Sequence, residues 1–263
     1  MGDTSLVHYA ASEGIAVLTL DNPPANAYSY DLNRELDEAI LRARMDDSVH
    51  AIVLRGAGDR FFCAGADIAM LAKAAPSFKY AFCLHANETL NRLEQTPKVV
   101  IAAINGHCVG GGLEVALAAD LRVGKRGGGK IGLPEVSLGV LPGTGGTQRL
   151  ARALGRAKAF ELMATARTMT VEDAQALGLV HEVFDAATFD ADVLRYAQQF
   201  LPPGRAAKAV GLIKRAVVSG LEASFSEGLA IERELQQRLF ESEDAKEGLA
   251  AYVEKRPPKF QGK

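Results

Sequence analysis

The chain has 263 residues, 48% of them apolar and 24% charged, with a formal net charge of -2. That length suits one large core with a terminal appendage, and the mixture is that of an ordinary globular protein. Lys and Arg form no block, which excludes a general nucleic-acid or membrane-surface binder, because both depend on clustered cations. Met1–Ala10 lacks a basic stretch followed by an apolar one, and no apolar run reaches the length of a membrane span. Cys63, Cys83 and Cys108 are odd in number, share no metal-ligand spacing and sit among apolar or small residues. A reduced, cytoplasmic protein is expected.

In chain order, Val7 to Leu20 reads as two strands around Ser12-Glu13-Gly14. Asn22 to Asn26 is a loop. From Asp31 to Arg44 the residues Leu32, Leu36, Ile40 and Leu41 recur at helical spacing, and Ala51–Arg55 reads as a buried strand. A helix over 77–95, a strand from Val99 to Ala103, a helix opening in the glycines at 110–112 and a strand near 121–123 continue the alternation to about residue 185. This predicts a mixed α/β core over residues 1–200. After Pro202-Pro203 the segments 205–219, 222–240 and 243–254 have helical period only, so 201–263 is expected to be a helical region that packs on a neighbouring subunit.

The glycine clusters carry the chemistry. Gly124 to Lys130 has the spacing of a phosphate loop, but residue 131 is Ile where a metal-holding hydroxyl is needed, so an exposed hairpin is predicted. Gly143-Thr144-Gly145-Gly146-Thr147-Gln148 fails the dinucleotide fingerprint at its last glycine. Two further clusters each follow a strand and open a helix: Cys63-Ala64-Gly65-Ala66-Asp67, with Asp67 as N-cap, and Asn105 to Glu114. Small residues leave backbone N–H groups open to a ligand there, and the helix dipole adds positive potential. Two such turns can aim two N–H groups at one oxygen, the geometry of an oxyanion hole.

At these residues the chain resembles the enoyl-CoA hydratase/isomerase, or crotonase, family. The resemblance begins at Asn22-Pro23-Pro24-Ala25-Asn26-Ala27 and runs through Phe62-Cys63-Ala64-Gly65-Ala66-Asp67-Ile68 and Asn105–Glu114. It continues through Leu133-Pro134-Glu135-Val136-Ser137-Leu138-Gly139 and Pro142–Leu150, and ends at Glu247–Arg256. It implies an α/β spiral of ββα units followed by C-terminal helices that build homotrimers, commonly paired into homohexamers. It implies oxyanion donors at the N–H groups of Ala66 and Gly111. It also implies two carboxylates for adding water to a 2-enoyl thioester, Glu114 as base and Glu135 as acid. Gly143 is implied as a backbone contact to the attacking water.

The substrate implied is an acyl-CoA, so coenzyme A enters with the substrate and no separate cofactor is expected. Ala25, Ala27, Ala64, Asp67, Ile68 and Pro134 fall at substrate-binding positions. Arg60 stands where relatives often carry a lysine near the nucleotide, and Lys255 or Arg256 is implied from a neighbouring subunit. Position 69 is Ala, where some relatives have a second lysine. Leu71, Phe78, Phe82 and Leu84 are candidates for the acyl pocket. His107 is read as a packed histidine. An isomerase moving a double bond from C3 to C2 is the alternative enzyme, and retention of Glu114 favours hydration. An RNA-binding relative would show a lysine-rich first helix, whereas Asp31–Arg44 interleaves both charges.

Overall fold

The computed structural model describes residues 5–263, so the leader reading of Met1–Ala10 lies partly outside the described residues. The strands are β1 (Val7–Ser12), β2 (Ile15–Leu20), β3 (Ala51–Gly56), β4 (Phe61–Cys63), β5 (Val99–Ile104), β6 (His107–Val109), β7 (Leu121–Lys125), β8 (Lys130–Gly132), β9 (Thr168–Thr170) and β10 (Glu182–Phe184). The helices are α1 (Tyr30–Met45), α2 (Ile68–Lys73), α3 (Pro76–Glu94), α4 (Gly111–Leu117), α5 (Gly146–Leu154), α6 (Arg156–Ala164), α7 (Val171–Ala176), α8 (Phe189–Gln198), α9 (Ala207–Gly220), α10 (Phe225–Phe240) and α11 (Glu243–Glu254).

A six-stranded sheet in the order β1-β2-β3-β5-β7-β10 forms the centre. Its first pair is an antiparallel hairpin, and every later pair is parallel. Ser12 belongs to β1, opposite Ile15, so the turn is Glu13-Gly14 alone. Both turn residues have positive φ, the twist that a two-residue hairpin needs. β5 is buried at all six positions because helices cover both faces of the sheet. Side chains divide by the period of two: Ile52, Leu54, Val100 and Ile104 join Leu32, Leu36 and Ile40 of α1 and Leu90 and Leu93 of α3. Val53, Val99 and Ile101 point the other way, onto Phe189, Val193 and Ala197 of α8.

A second, four-stranded sheet has the order β4-β6-β8-β9. Each of β4, β6 and β8 directly follows a strand of the larger sheet, and a helical turn or helix comes next. The repeating unit is therefore two strands and a helix. The segment Gly124–Lys130 is not a hairpin: it carries the chain from β7 in one sheet to β8 in the other. His107 is packed in this sheet, its ring 5.4 Å from that of Phe61 and its Nδ1 accepting from the Lys130 N–H at 3.1 Å.

Helices α9 to α11 follow the core, and a buried ion pair ties α9 to it. The Lys214 ammonium lies 2.9 Å from Asp120, with side-chain exposures of 7% and 22%. It also donates to the Lys98 carbonyl at 3.1 Å. Breaking a buried pair from one side strands the other charge. Lys214→Ala is therefore expected to lower unfolding free energy by about 3 kcal/mol in urea titration, with the Lys214→Met, Asp120→Asn double variant losing less. The outer faces of these helices leave Ile213, Val217, Leu221 and Phe225 exposed.

Candidate active site

The two glycine-bearing turns meet at the ends of β4 and β6, which pair in parallel with Cys63 opposite Cys108. Gly65 and Gly110 hold φ of +94° and +56°, conformations that side chains resist, and so both turns can be tight. Tyr28 grips the first turn from both sides. Its N–H donates to the Gly65 carbonyl at 2.7 Å, and its carbonyl accepts from Asp67 N–H at 3.2 Å. The Ala66 N–H between them faces away from Tyr28. Gly111 is the first residue of α4, where an N–H has no intrahelical acceptor. Among the described residues, neither N–H donates to a turn, loop or cap carbonyl. The turns are close: a β-carbon on Gly111 would lie 3.4 Å from the Ala66 nitrogen. Both open on a mostly apolar cavity of about 320 Å³.

Two carboxylates face the same cavity. Glu114, one turn into α4, is 3% exposed. Its Oε1 accepts from the N–H groups of Thr144 (2.7 Å) and Gly146 (2.8 Å), and its Oε2 accepts from the Thr144 hydroxyl. Gly146 opens α5, whose N-cap Gly145 offers no side-chain acceptor, so the carboxylate completes that helix end. Glu135 opens a 3₁₀ turn, Glu135–Leu138. Its Oε2 is buried with no hydrogen-bond partner. Burial pushes the Glu135 carboxyl up to about 7 against a bond to its own backbone N–H; nearby Glu114 adds to the rise and Lys79 opposes it.

The raised value has a consequence for stability. Folded protein binds the Glu135 proton more tightly than unfolded chain, so this contribution is complete below the ordinary carboxyl value and is lost as pH climbs to about 7. Melting temperature followed from pH 4 to pH 8 is expected to show that decline in wild type and less of it in Glu135→Gln.

Of the residues picked from sequence, Ala64, Ala66, Ile68, Gly111, Glu114, Pro134, Glu135 and Gly143 line the cavity. The others do not. Asp67 caps α2, accepting from Met70 N–H at 3.0 Å. Ala25 and Ala27 use their carbonyls within the neighbouring loops, Ala25 accepting from Ala64 N–H at 3.1 Å and Ala27 from Asn22 Nδ2 at 2.7 Å. Arg60 holds its guanidinium 5.2 Å from the Phe61 ring centroid, and Lys255 is the left-handed cap of α11. Leu71 and Phe82 line the cavity, whereas Phe78 sits behind, stacked on Phe82 at 6.4 Å, and Leu84 lies outside. Sequence reasoning missed Tyr28, Lys79, Leu141 and Thr144 as lining residues. For Thr144 a signal existed: a Gly-Thr-Gly-Gly run before a helix that lacks a side-chain cap.

The sequence profile of the family described as enoyl-CoA hydratase/isomerase matches residues 10–263. The chain belongs to that family. A crystal structure of an enoyl-CoA hydratase from Geobacillus kaustophilus HTA426 superposes with a TM-score of 0.96 at 43% identity, covering 99% of this chain and 98% of that one. The short-chain-enoyl-CoA hydratase of Clostridium acetobutylicum is 36% identical over 92% of each chain. The mitochondrial methylglutaconyl-CoA hydratase of Mus musculus is 39% identical, over 95% of this chain and 81% of its own. The two-sheet ββα architecture is thus the crotonase fold, whose enzymes act on acyl-CoA substrates. Among the described residues no helix is long and apolar enough to cross a membrane.

Proposed function

We propose that this family member is a 2-enoyl-CoA hydratase. The observation that carries the proposal is the facing of two unlike carboxylates, Glu114 and Glu135, across a cavity that also holds two uncommitted N–H groups. The thioester oxygen accepts from Ala66 and Gly111. Glu114 takes a proton from water as the water oxygen bonds to C3. The C2=C3 electron pair moves toward the thioester, and its oxygen becomes an enolate held by the two donors. Glu135 in its acid form delivers a proton to C2, the enolate collapses, and a 3-hydroxyacyl-CoA results. Exchange of one proton with solvent restores both carboxyl groups. The surroundings of the pair are unlike: three donors hold Glu114 in place, and burial keeps the proton on Glu135 to about pH 7. Gly143 at the cavity wall supports the expected water contact.

Coenzyme A arrives as part of the substrate, and no other cofactor enters the scheme. Its phosphates fall to Arg60 and to a neighbouring subunit's cap of α11. There Arg256 is already paired with Glu247 at 2.9 Å, which leaves Lys255 as the available cation. The exposed apolar residues of α9 and α10 support a homotrimer or a pair of trimers. A cytoplasmic enzyme without nucleic-acid or membrane partners fits the charge pattern. On α1, Arg34 pairs with Glu38 and Asp37 with Arg92, so no basic stripe is presented.

One observation favours a second reading. Glu135 alone, near neutral in its protonation, suits the shuttling of one proton between C2 and C4 in an isomerase. Loss of enoyl-thioester ultraviolet absorbance with crotonyl-CoA separates the two. Wild type is expected to bleach the band. An enzyme that leaves crotonyl-CoA untouched yet converts a 3-enoyl-CoA to the conjugated isomer would reverse the assignment.

A further inference from the structure

The two carboxylates are chemically alike and differ only in what surrounds them. Every donor on Glu114 comes from one short turn: the Thr144 N–H and the Gly146 N–H on Oε1, and the Thr144 hydroxyl on Oε2. Glu135 has no donor on its buried Oε2. The turn is braced from outside, because Arg149 reaches the Thr144 carbonyl at 3.4 Å while pairing with Glu94 at 3.0 Å and with Asn91 at 2.7 Å. Thr144 is itself 4% exposed, and its hydroxyl is committed to Glu114.

We infer that Thr144 is the positioning residue that makes Glu114, and not Glu135, the member of the pair that accepts the water's proton. A threonine hydroxyl has one proton to donate, and here it goes to Oε2. That bond ties the second carboxylate oxygen as the N–H groups of the turn tie the first, so the carboxyl group is held against rotation in the wall of the cavity. The hydroxyl is thus a third donor that the backbone of the turn does not supply. With any residue but proline at 144 the two N–H bonds to Oε1 are available, so the turn keeps its form while the clamp on Oε2 depends on the side chain. The inference rests on the hydratase reading, in which one carboxylate must be base while the other is acid.

The test compares Thr144→Val, which keeps shape and removes the donor, with Thr144→Ser, which keeps the donor. Crotonyl-CoA hydration is followed across pH, and melting temperature reports folding. Thr144→Val is expected to lower kcat by about tenfold to a hundredfold, the scale of a misplaced catalytic group, with KM unchanged. Thr144→Ser is expected to restore the rate. Wild-type kinetics in Thr144→Val overturn the proposal. So does a lower kcat accompanied by a matching change in KM or a lowered melting temperature, which marks a structural role, and so does failure of Thr144→Ser to rescue. A wild type that does not hydrate crotonyl-CoA overturns the hydratase reading itself and this inference with it.

Discussion

Glu114→Gln and Glu135→Gln are each expected to lower kcat for crotonyl-CoA hydration by about 10²–10⁴, the usual worth of a general acid or base. Glutamine is the informative replacement at 114. Its carbonyl oxygen can take the place of Oε1 and accept from Thr144 and Gly146, and its amide can donate to the Thr144 hydroxyl, which then serves as acceptor. Packing and hydrogen bonds are kept and only the proton acceptor is lost. At 135 the amide replaces a carboxyl with a buried, unpartnered oxygen, so the fold loses little. Hydration needs Glu135 protonated, so the wild-type rate falls as pH rises through about 7. Initial rates of crotonyl-CoA hydration across pH check this. A rate that holds steady above pH 7 would remove Glu135 from the acid role.

Gly111→Pro is expected to cost about 10²–10³ in kcat, the loss measured when an oxyanion donor is deleted. Proline is well placed for the purpose. Gly111 is the first residue of α4, where a proline ring fits the helix and no intrahelical bond is lost. A β-carbon there would meet Ala66 N and Tyr28 Cδ1 at 3.4 Å each, contacts that the turn can bear. The N–H is gone and the ring fills the space it faced. Circular dichroism should match wild type, and kcat should fall while Ala66→Gly, which keeps its N–H, stays near wild type. If Gly111→Pro turns over normally, the two turns are not the oxyanion site.

The larger sheet and the long helices were legible because their periods are long enough to see. β5 is a continuous apolar run and β3 one up to Leu54, and α1 and α3 repeat their apolar residues over many turns. The second sheet was not. Phe61–Cys63, His107–Val109 and Lys130–Gly132 are three residues each, too short to show alternation, and they pair in parallel across long gaps in the chain. Mistaking the Gly124–Lys130 crossing for a hairpin followed from that blindness. Within the cavity, Ala66, Gly111, Glu114 and Glu135 were found by motif. Thr144 was not, because the Gly-Thr-Gly-Gly run signals only an uncapped helix start and not the glutamate thirty positions away that the hydroxyl meets. Nor does any local pattern tell that one glutamate oxygen will be solvated by backbone donors and another left alone. That difference is made by tertiary packing.

The short strands β4, β6 and β8 lie side by side, and each hands its chain to the cavity within three residues of its end: Ala66, Gly111 and Glu135. Interstrand register therefore acts as the ruler of the reaction centre. A one-residue deletion in β4 would drag Ala66 by about 3.3 Å along the strand and turn its amide to the other side. Side chains such as Leu71, Leu138 and Leu141 hang on the far wall and take no part in that ladder. In the proposed hydratase, then, charge is held by the frame while the acyl group meets only the lining, and the lining can drift toward new chain lengths without moving the carboxylates.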